Sequence, residues 1–379
     1  MNDGAKTIMI VAGEASGDLH GSNLVKAMLD REPSLKFFGM GGRRLEDAGV
    51  QLVAHASDMA VVGLTEVVSK LGMILKVMRQ LKASFKTNKP DLVILIDYPD
   101  FNLSLAKAAK KQDIKVFYYI SPQVWAWRKG RINKIRRVVD KMAVILPFEA
   151  DFYHQAHIDA AFVGHPLLDT VKTKYSRQEA LHQFGLREGF KTIGLLPGSR
   201  QSEVVKLLPI MLQTAKILRE KVAKIQFVLP LADTLDPAFV SSIIGDHGVD
   251  VKVIAGEIYD VVAASDMAIV ASGTATLEAA LLETPMLIIY KMSPLSYLLG
   301  RLFIHVANIG LVNIIAGKTI VPEFIQNDAT PERLAQALLD ILTDERRMDA
   351  IRKELSKIKN KLGQPGAAQR AAALAYGML

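Results

Sequence analysis

The sequence predicts a two-domain α/β protein, and three observations carry the prediction. The chain has 379 residues, which at about 100–200 residues per domain favours two domains. Short β-rich runs alternate with longer stretches of helical period along its whole length. The β-rich runs are continuously apolar rather than alternating, as expected of parallel strands buried on both faces.

In the first half the predicted strands are 7–11, 92–96, 116–119 and 143–146. After His165-Pro166 the rhythm restarts with 192–196, 225–229, 251–254, 267–270 and 286–289. Helical periods lie between them, as at 202–220 and 274–282. The tail from Pro331 is helical: 345–361 is basic and amphipathic, Pro365-Gly366 breaks it, and 367–375 resumes it. Two α/β sandwiches in tandem follow, each with a mostly parallel sheet. The expected domains are 1–168 and 169–345, with closing helices over 346–379. Those helices either cap the second sheet or cross back to pack on the first domain.

Half of the residues are apolar and 23% are charged, a composition with ample core that excludes disorder. There are no cysteines, which removes thiol catalysis, Cys-ligated zinc and disulfides together. The 47 basic and 39 acidic residues leave a charge of +8, a mild bias toward anionic partners that selects none of them. Residues 1–6 are polar and the apolar run 7–13 is too short for the core of a signal peptide. No stretch reaches the ~18 uncharged apolar residues of a membrane span. The expectation is a protein that is soluble or rests on a membrane surface.

Open parallel sheets bind ligands beyond the carboxyl ends of their strands, so the residues after each strand matter most. After the first strand comes Gly13-Glu14-Ala15-Ser16-Gly17-Asp18-Leu19-His20-Gly21. Its glycines are spaced by four, unlike the dinucleotide fingerprint. It reads as a flexible turn that opens a helix and offers Glu14, Asp18 and His20, or as a turn where Asp18 or Ser16 caps the helix. In Ile94-Leu95-Ile96-Asp97-Tyr98-Pro99-Asp100-Phe101-Asn102, Asp97 ends a buried strand and Pro99 prevents its continuation. A carboxylate there, flanked by apolar residues, can have its pKa raised by desolvation and act as a general base. Asp100 is placed to cap the helix that follows.

The only two tryptophans, Trp125 and Trp127, precede a run in which seven of the residues 128–141 are basic. Such a cluster suits single-stranded nucleic acid, sugar stacking with phosphate binding, a membrane surface, or simply a solvated helix face. In the second half, Leu195-Leu196-Pro197-Gly198-Ser199-Arg200 runs from strand to helix. Helix-start amides with Arg200 form an anion site there, without the Lys-Ser/Thr of a P-loop. Ala271-Ser272-Gly273-Thr274-Ala275-Thr276-Leu277-Glu278 repeats the pattern: Gly273 and Thr274 can approach phosphate, and Glu278 can accept both hydroxyls of a ribose. No Asp-x-Asp pair follows a strand to hold a metal against a diphosphate, so none is expected. Residues 61–79 are apolar nearly all round with basic residues at 70, 76 and 79. They read either as a buried helix or as a lipid-facing flap.

Taken together, these motifs resemble the lipid A disaccharide synthases. The resemblance rests on Val11 to Gly21, Gly39-Met40-Gly41-Gly42, Asp97-Tyr98-Pro99-Asp100-Phe101-Asn102 and Ser121-Pro122-Gln123-Val124-Trp125-Ala126-Trp127. It continues through Gly164-His165-Pro166-Leu167, Leu196-Pro197-Gly198-Ser199-Arg200 and Ser272-Gly273-Thr274-Ala275-Thr276-Leu277-Glu278, in order and at the usual length. It implies an inverting, metal-independent glycosyltransferase of the GT-B fold (family 19 type), whose two Rossmann-like domains face a central cleft. Such an enzyme joins UDP-2,3-diacylglucosamine to 2,3-diacylglucosamine 1-phosphate and releases UDP, on the cytoplasmic face of an anionic inner membrane. No cofactor and no nucleic acid are implied, and a homodimer is compatible with it.

On this reading Asp97 is the base, with Glu14 and His20 the other catalytic candidates. Substrates meet Asp18, Asp100, Asn102, Gln123 and Trp125 in the first half. In the second half they meet Gly198, Ser199, Arg200, Ser272, Gly273, Thr274, Glu278 and Asn313. Val61, Val62, Leu64, Val68, Leu71 and Leu75 face the membrane. Tyr98 departs from the family, where a small residue is more usual, and would narrow the acceptor pocket. The enzyme alternative is a UDP-sugar 2-epimerase of similar fold, which has no use for an apolar flap. The non-enzyme alternative is an RNA-binding module built on the tryptophans and the basic run, which leaves Asp97, Arg200 and Glu278 without roles.

Overall fold

A computed structural model describes residues 5–56, 64–125, 130–292 and 308–379, with the backbone alone over 64–70. The chain divides into two compact units, Met1–Pro166 with Leu362–Leu379, and Leu167–Lys361. The closing stretch is therefore shared. Helix Glu345–Lys361 belongs to the second unit, and helix Ala367–Tyr376 packs in the first, against helix Ala15–Leu29.

The first unit carries strands β1 (Thr7–Ala12), β2 (Lys36–Gly41), β3 (Gln51–His55), β4 (Leu92–Ile96), β5 (Lys115–Tyr119), β6 (Lys141–Val144) and β7 (Ala160–Phe162). They form one parallel sheet in the order β3-β2-β1-β4-β5-β6-β7. The second unit carries β8 (Lys191–Leu196), β9 (Ile225–Leu231), β10 (Val251–Ala255), β11 (Met267–Ala271), β12 (Met286–Tyr290) and β13 (Glu323–Ile325). These are also parallel, in the order β10-β9-β8-β11-β12-β13. Two Rossmann-like α/β units with parallel sheets, as the sequence predicts, are what the chain forms.

The unbroken apolar runs have a direct cause. In β1, Met9 and Val11 enter one core layer while Ile8, Ile10 and Ala12 enter the other, and β4 divides Val93 and Leu95 from Leu92, Ile94 and Ile96 in the same way. Both faces need apolar side chains, so no polar alternation is left to read. Four strands were not predicted. β2 is interrupted by glycine, β3 is an edge strand with half-buried residues, and β7 and β13 are three residues each.

Helix Leu64–Thr87 covers most of residues 61–79 and is buried in one part and exposed in another. Its later turns anchor it through buried Val77, Met78, Leu81 and Phe85, while Leu71, Met73 and Leu75 are 49%, 43% and 47% exposed. Val61 and Val62 lie outside the described residues, as do the side chains of Leu64 and Val68. Among the described residues no helix is long and apolar enough to cross a membrane. Part of the basic run forms helix Arg131–Val138, which buries Ile135 and Val138 and turns Lys134, Arg136 and Arg137 outward; Trp127, Arg128 and Lys129 lie outside the described residues.

Candidate active site

Each sheet reverses its strand order once, between β1 and β4 in the first unit and between β8 and β11 in the second. Loops that leave such neighbouring strands diverge to opposite faces and open a crevice, where ligands of open α/β sheets bind. The motifs singled out from sequence fall at these points. Glu14 follows β1 and Asp97 follows β4; Arg200 follows β8 and Thr274 follows β11.

In the first unit Ala12 pairs with Ile96, so the turns after β1 and β4 leave side by side. Asp97 and Tyr98 both adopt left-handed backbone, at φ 44° and 47°, a conformation that non-glycine residues take only where the surroundings enforce it. Here the enforcement is visible. Tyr118 Oη donates to the Asp97 carbonyl at 2.5 Å, and Asn102 Nδ2 donates to the same carbonyl at 2.7 Å and to that of Ile96 at 3.1 Å. The Tyr98 ring lies over Gly13, where a Cβ would come within 2.5 Å of it. Burial, aided by the nearby Glu14 charge, pushes the Asp97 carboxyl up to about 6. Asp97 thus stands on a fixed backbone, and its raised carboxyl has the basicity that proton removal near neutral pH requires.

The remaining first-unit candidates take more varied places. Glu14 is exposed at the cap position of helix Ala15–Leu29 and makes no capping bond. Gly17 and Gly21 lie inside that helix, where they let it settle on Ile96, so the glycine spacing of four is a packing stripe rather than a flexible turn. Asp18 corrects its expected role. Its buried carboxylate accepts from the backbone N–H groups of Gly42, Arg44 and Leu45 at 2.6–3.1 Å. It therefore holds the start of helix Arg43–Asp47 and does not cap its own helix. His20 is pushed down to about 4 by burial. His165, buried and pushed down to about 3 by desolvation and by His20, lies within electrostatic range of it.

Asp100 does not cap its helix. That helix runs Pro99–Lys110 with Tyr98 at the cap position, and Asp100 pairs with Arg131 instead. Asn102 is fully buried and ties the Asp97 corner through its Nδ2. Gln123 is exposed, and Trp125 is half-buried edge-on against Phe148. The loop carrying both leaves β5 through Ile120, a third left-handed non-glycine residue at φ 61°.

The second unit arranges its candidates differently. Gly198, at φ 108°, makes the turn after β8, and a Cβ there would meet the Glu203 carboxylate at 2.3 Å. Arg200 stands at the cap position of helix Gln201–Lys221, its side chain 69% exposed and 3.2 Å from Glu203 Oε1. The Ser199 carbonyl accepts from Thr234 Oγ1 at 2.6 Å. After β11, Gly273 and Thr274 are exposed, and Ser272 Oγ donates to the Ile309 carbonyl at 3.3 Å. Glu278 lies one turn into helix Ala275–Leu281, pushed up by burial and accepting from Tyr259 Oη at 3.4 Å. Asn313 corrects its expectation. It is fully buried, donates to the Val321 carbonyl and Glu323, and accepts from the Ile320 and Val321 amides, so its side chain is spent on the 320–323 segment.

Sequence reasoning missed four residues. Glu203 and Tyr259 touch Arg200 and Glu278, His165 lies within electrostatic range of His20, and Glu149 holds Ser121 and Trp125. The acids Glu149 and Glu203 begin or enter helices, where carboxylates are commonplace, so nothing in their spacing set them apart.

Two parallel-sheet α/β units, each with its polar turns at the switch point, are the GT-B architecture. The glycotransferase of kitacinnamycin shares it, with a TM-score of 0.66 at 14% identity over all of both chains. So does a putative UDP-N-acetylglucosamine 2-epimerase from Listeria monocytogenes, at 0.62 and 14% over 97% of this chain and 94% of that one. Sequence separates what fold leaves together. A model of the lipid-A-disaccharide synthetase family matches residues 8–376. The lipid-A-disaccharide synthase of Syntrophus aciditrophicus is 59% identical over 376 residues, 99% of this chain and 98% of the relative. The chain belongs to the lipid-A-disaccharide synthetase family of glycosyltransferases.

Proposed function

We propose that the chain transfers the diacylglucosamine unit of UDP-2,3-diacylglucosamine to 2,3-diacylglucosamine 1-phosphate and releases UDP. The observation that carries the reading is the Asp97 corner: a backbone turn tied by Tyr118 and Asn102, bearing a carboxyl raised to about 6, at the switch point of the first sheet. Inverting transfer needs one base, which removes the acceptor hydroxyl proton while its oxygen attacks C1 of the donor sugar and the C1–O bond to UDP breaks. Asp97 takes that proton, and Glu14 supports its basicity through charge. The amides about Gly198 and Ser199, the start of the following helix and Arg200 receive the diphosphate. Glu278 receives the ribose hydroxyls, and Gln123 and Trp125 contact the acceptor.

Incubation with UDP-diacylglucosamine, with and without acceptor, tests the reading. Disaccharide plus UDP formed only with acceptor is expected; a manno-epimer formed without it supports the epimerase, and no reaction sinks both.

The same reading places the enzyme on the cytoplasmic face of an anionic membrane, supported by exposed Leu71, Met73 and Leu75. Burying side chains of this size is worth about 1.5–3 kcal/mol each, more than a nearby lysine contributes at about 1 kcal/mol. Replacing all three with Ser should release the protein from anionic vesicles in flotation while its melting temperature holds. A variant that stays bound refutes this attachment.

A further inference from the structure

We propose that Glu149 is a positioning residue for the transfer, fixing the 121–125 segment that presents Gln123 and Trp125 beside the Asp97 corner. The inference rests on the reading of the first unit as the acceptor side.

Glu149 opens the short helix Glu149–His154 after β6, and its side chain is buried. One carboxylate oxygen, Oε1, accepts from Ser121 Oγ at 2.6 Å and from Trp125 Nε1 at 3.1 Å. The other, Oε2, accepts from the Leu146 amide at 3.0 Å. Ser121 and Trp125 bracket the segment, so one carboxylate clamps both of its ends. Its middle is held from the same helix, where Tyr153 Oη donates to the Pro122 carbonyl at 3.2 Å. The entrance is strained: Ile120 is β-branched yet left-handed, a conformation that persists only when its surroundings over-determine it.

The clamp lies in line with the site. β1, β4, β5 and β6 are consecutive neighbours in the sheet, so Glu14, Asp97, the 121–125 segment and Glu149 follow four adjacent strands at one edge. β5 joins the two halves, because its Tyr118 donates to the Asp97 carbonyl while Ser121, just past its end, donates to Glu149. Burial raises the Glu149 carboxyl to about 7, against the hydrogen bonds from Ser121, Leu146 and Trp125, which favour its charged form. A carboxylate that only filled space would be replaced well by glutamine, which matches its shape. Glutamine cannot serve this clamp. With its oxygen on Ser121 and Trp125, its NH₂ meets the Leu146 N–H, donor against donor; turned round, it meets the hydroxyl and the indole with donors.

The test is Glu149→Gln in the full chain, carrying Trp127→Phe so that tryptophan emission reports Trp125 alone. Expected are a parental circular dichroism spectrum, unchanged UDP affinity, an acceptor KM raised at least tenfold, and Trp125 emission shifted to the red and more open to acrylamide quenching. An acceptor KM within threefold of the parent overturns the proposal whatever the emission does. A loss of UDP affinity that parallels the rise in KM also overturns it, because the carboxylate then supports the fold at large. Should Glu149→Gln fail to fold, Ser121→Ala and Trp125→Phe each remove one donor and leave the carboxylate in place. Both should raise acceptor KM without touching UDP affinity, and an unchanged KM in either overturns the proposal. A parent protein that forms no disaccharide sinks the underlying reading instead. The Trp125 emission needs no turnover and still reports whether Glu149 holds the segment.

Discussion

On the proposed reading the two switch points solve different problems, and they are built of different materials. At the first, the turns after β4 and β5 place three non-glycine residues, Asp97, Tyr98 and Ile120, in left-handed backbone, and side chains from neighbouring elements tie them down. At the second, the turn after β8 uses glycine for its left-handed residue, and Arg200 stands in solvent. Proton removal needs a group whose basicity is tuned by desolvation and whose position is fixed to within a few tenths of an ångström. Anion binding needs backbone N–H groups that a ligand can approach and a cation free to close on it. Strain and burial belong to the first task, openness to the second.

The comparison breaks first if Asp97 proves dispensable. Loss of a general base lowers rate about 10²–10⁴-fold, so Asp97→Asn should lose at least a hundredfold in kcat. UDP affinity, which belongs to the other unit, should stay parental. Turnover within fivefold of the parent hands the role to Glu14 or water. At the second switch point, a charge-assisted contact is worth about 1.5–3 kcal/mol. Arg200→Ala should therefore weaken UDP binding about ten- to a hundredfold in calorimetry. Parental affinity would mean that the guanidinium keeps its place on Glu203 when UDP binds.

How much of this was legible in the sequence follows the same division. The central strands of both sheets were readable because burial on both faces writes an unbroken apolar run. Glycine-broken β2, edge strand β3 and the three-residue β7 and β13 carry too little of that signal. Asp97 was singled out because it follows β4 directly, and Arg200 and Glu278 because they lie in the strand-to-helix segments after β8 and β11. Asp18, Asn102 and Asn313 were read as ligand contacts, yet each spends its side chain on backbone groups five to twenty-seven residues away. A polar residue that satisfies a distant turn and one that meets a substrate look alike in one dimension. Only the fold tells them apart.

A smaller effect sharpens the assignment of the base. Asp97 must be ionised to accept a proton, and its carboxyl is raised to about 6, first by burial and then by the Glu14 charge. With the folded value above the ordinary carboxylate range, kcat/KM should rise with pH through about 6 and level off above it. Glu14→Gln removes the second cause and should move that midpoint to lower pH, leaving the plateau within a few-fold of the parent. A plateau that collapses would make Glu14 the base and Asp97 its neighbour, and a midpoint that stays in place would show that the Glu14 charge does not tune the base.

The smallest expected effect is none at all. If the second switch point is an anion site made of helix-start amides and one arginine, it already supplies what a divalent ion would supply to departing UDP. Helix Gln201–Lys221 has no side-chain cap, and of its first three amides that of Glu203 donates to the Arg200 carbonyl; the first N–H groups of a helix carry its positive dipole end, here at the turn of Gly198 and Ser199. Arg200 adds a full charge that can reach two phosphate oxygens together. Leaving-group charge is then met by preorganised donors, which need no reorganisation as the bond breaks. Turnover by the parent should be the same in EDTA as in Mg²⁺, and Arg200→Ala should not be rescued by Mg²⁺ or Mn²⁺. Activity that EDTA abolishes and either ion restores would show that these donors are insufficient, and the contrast between a tuned base and a self-sufficient anion site would fall with it.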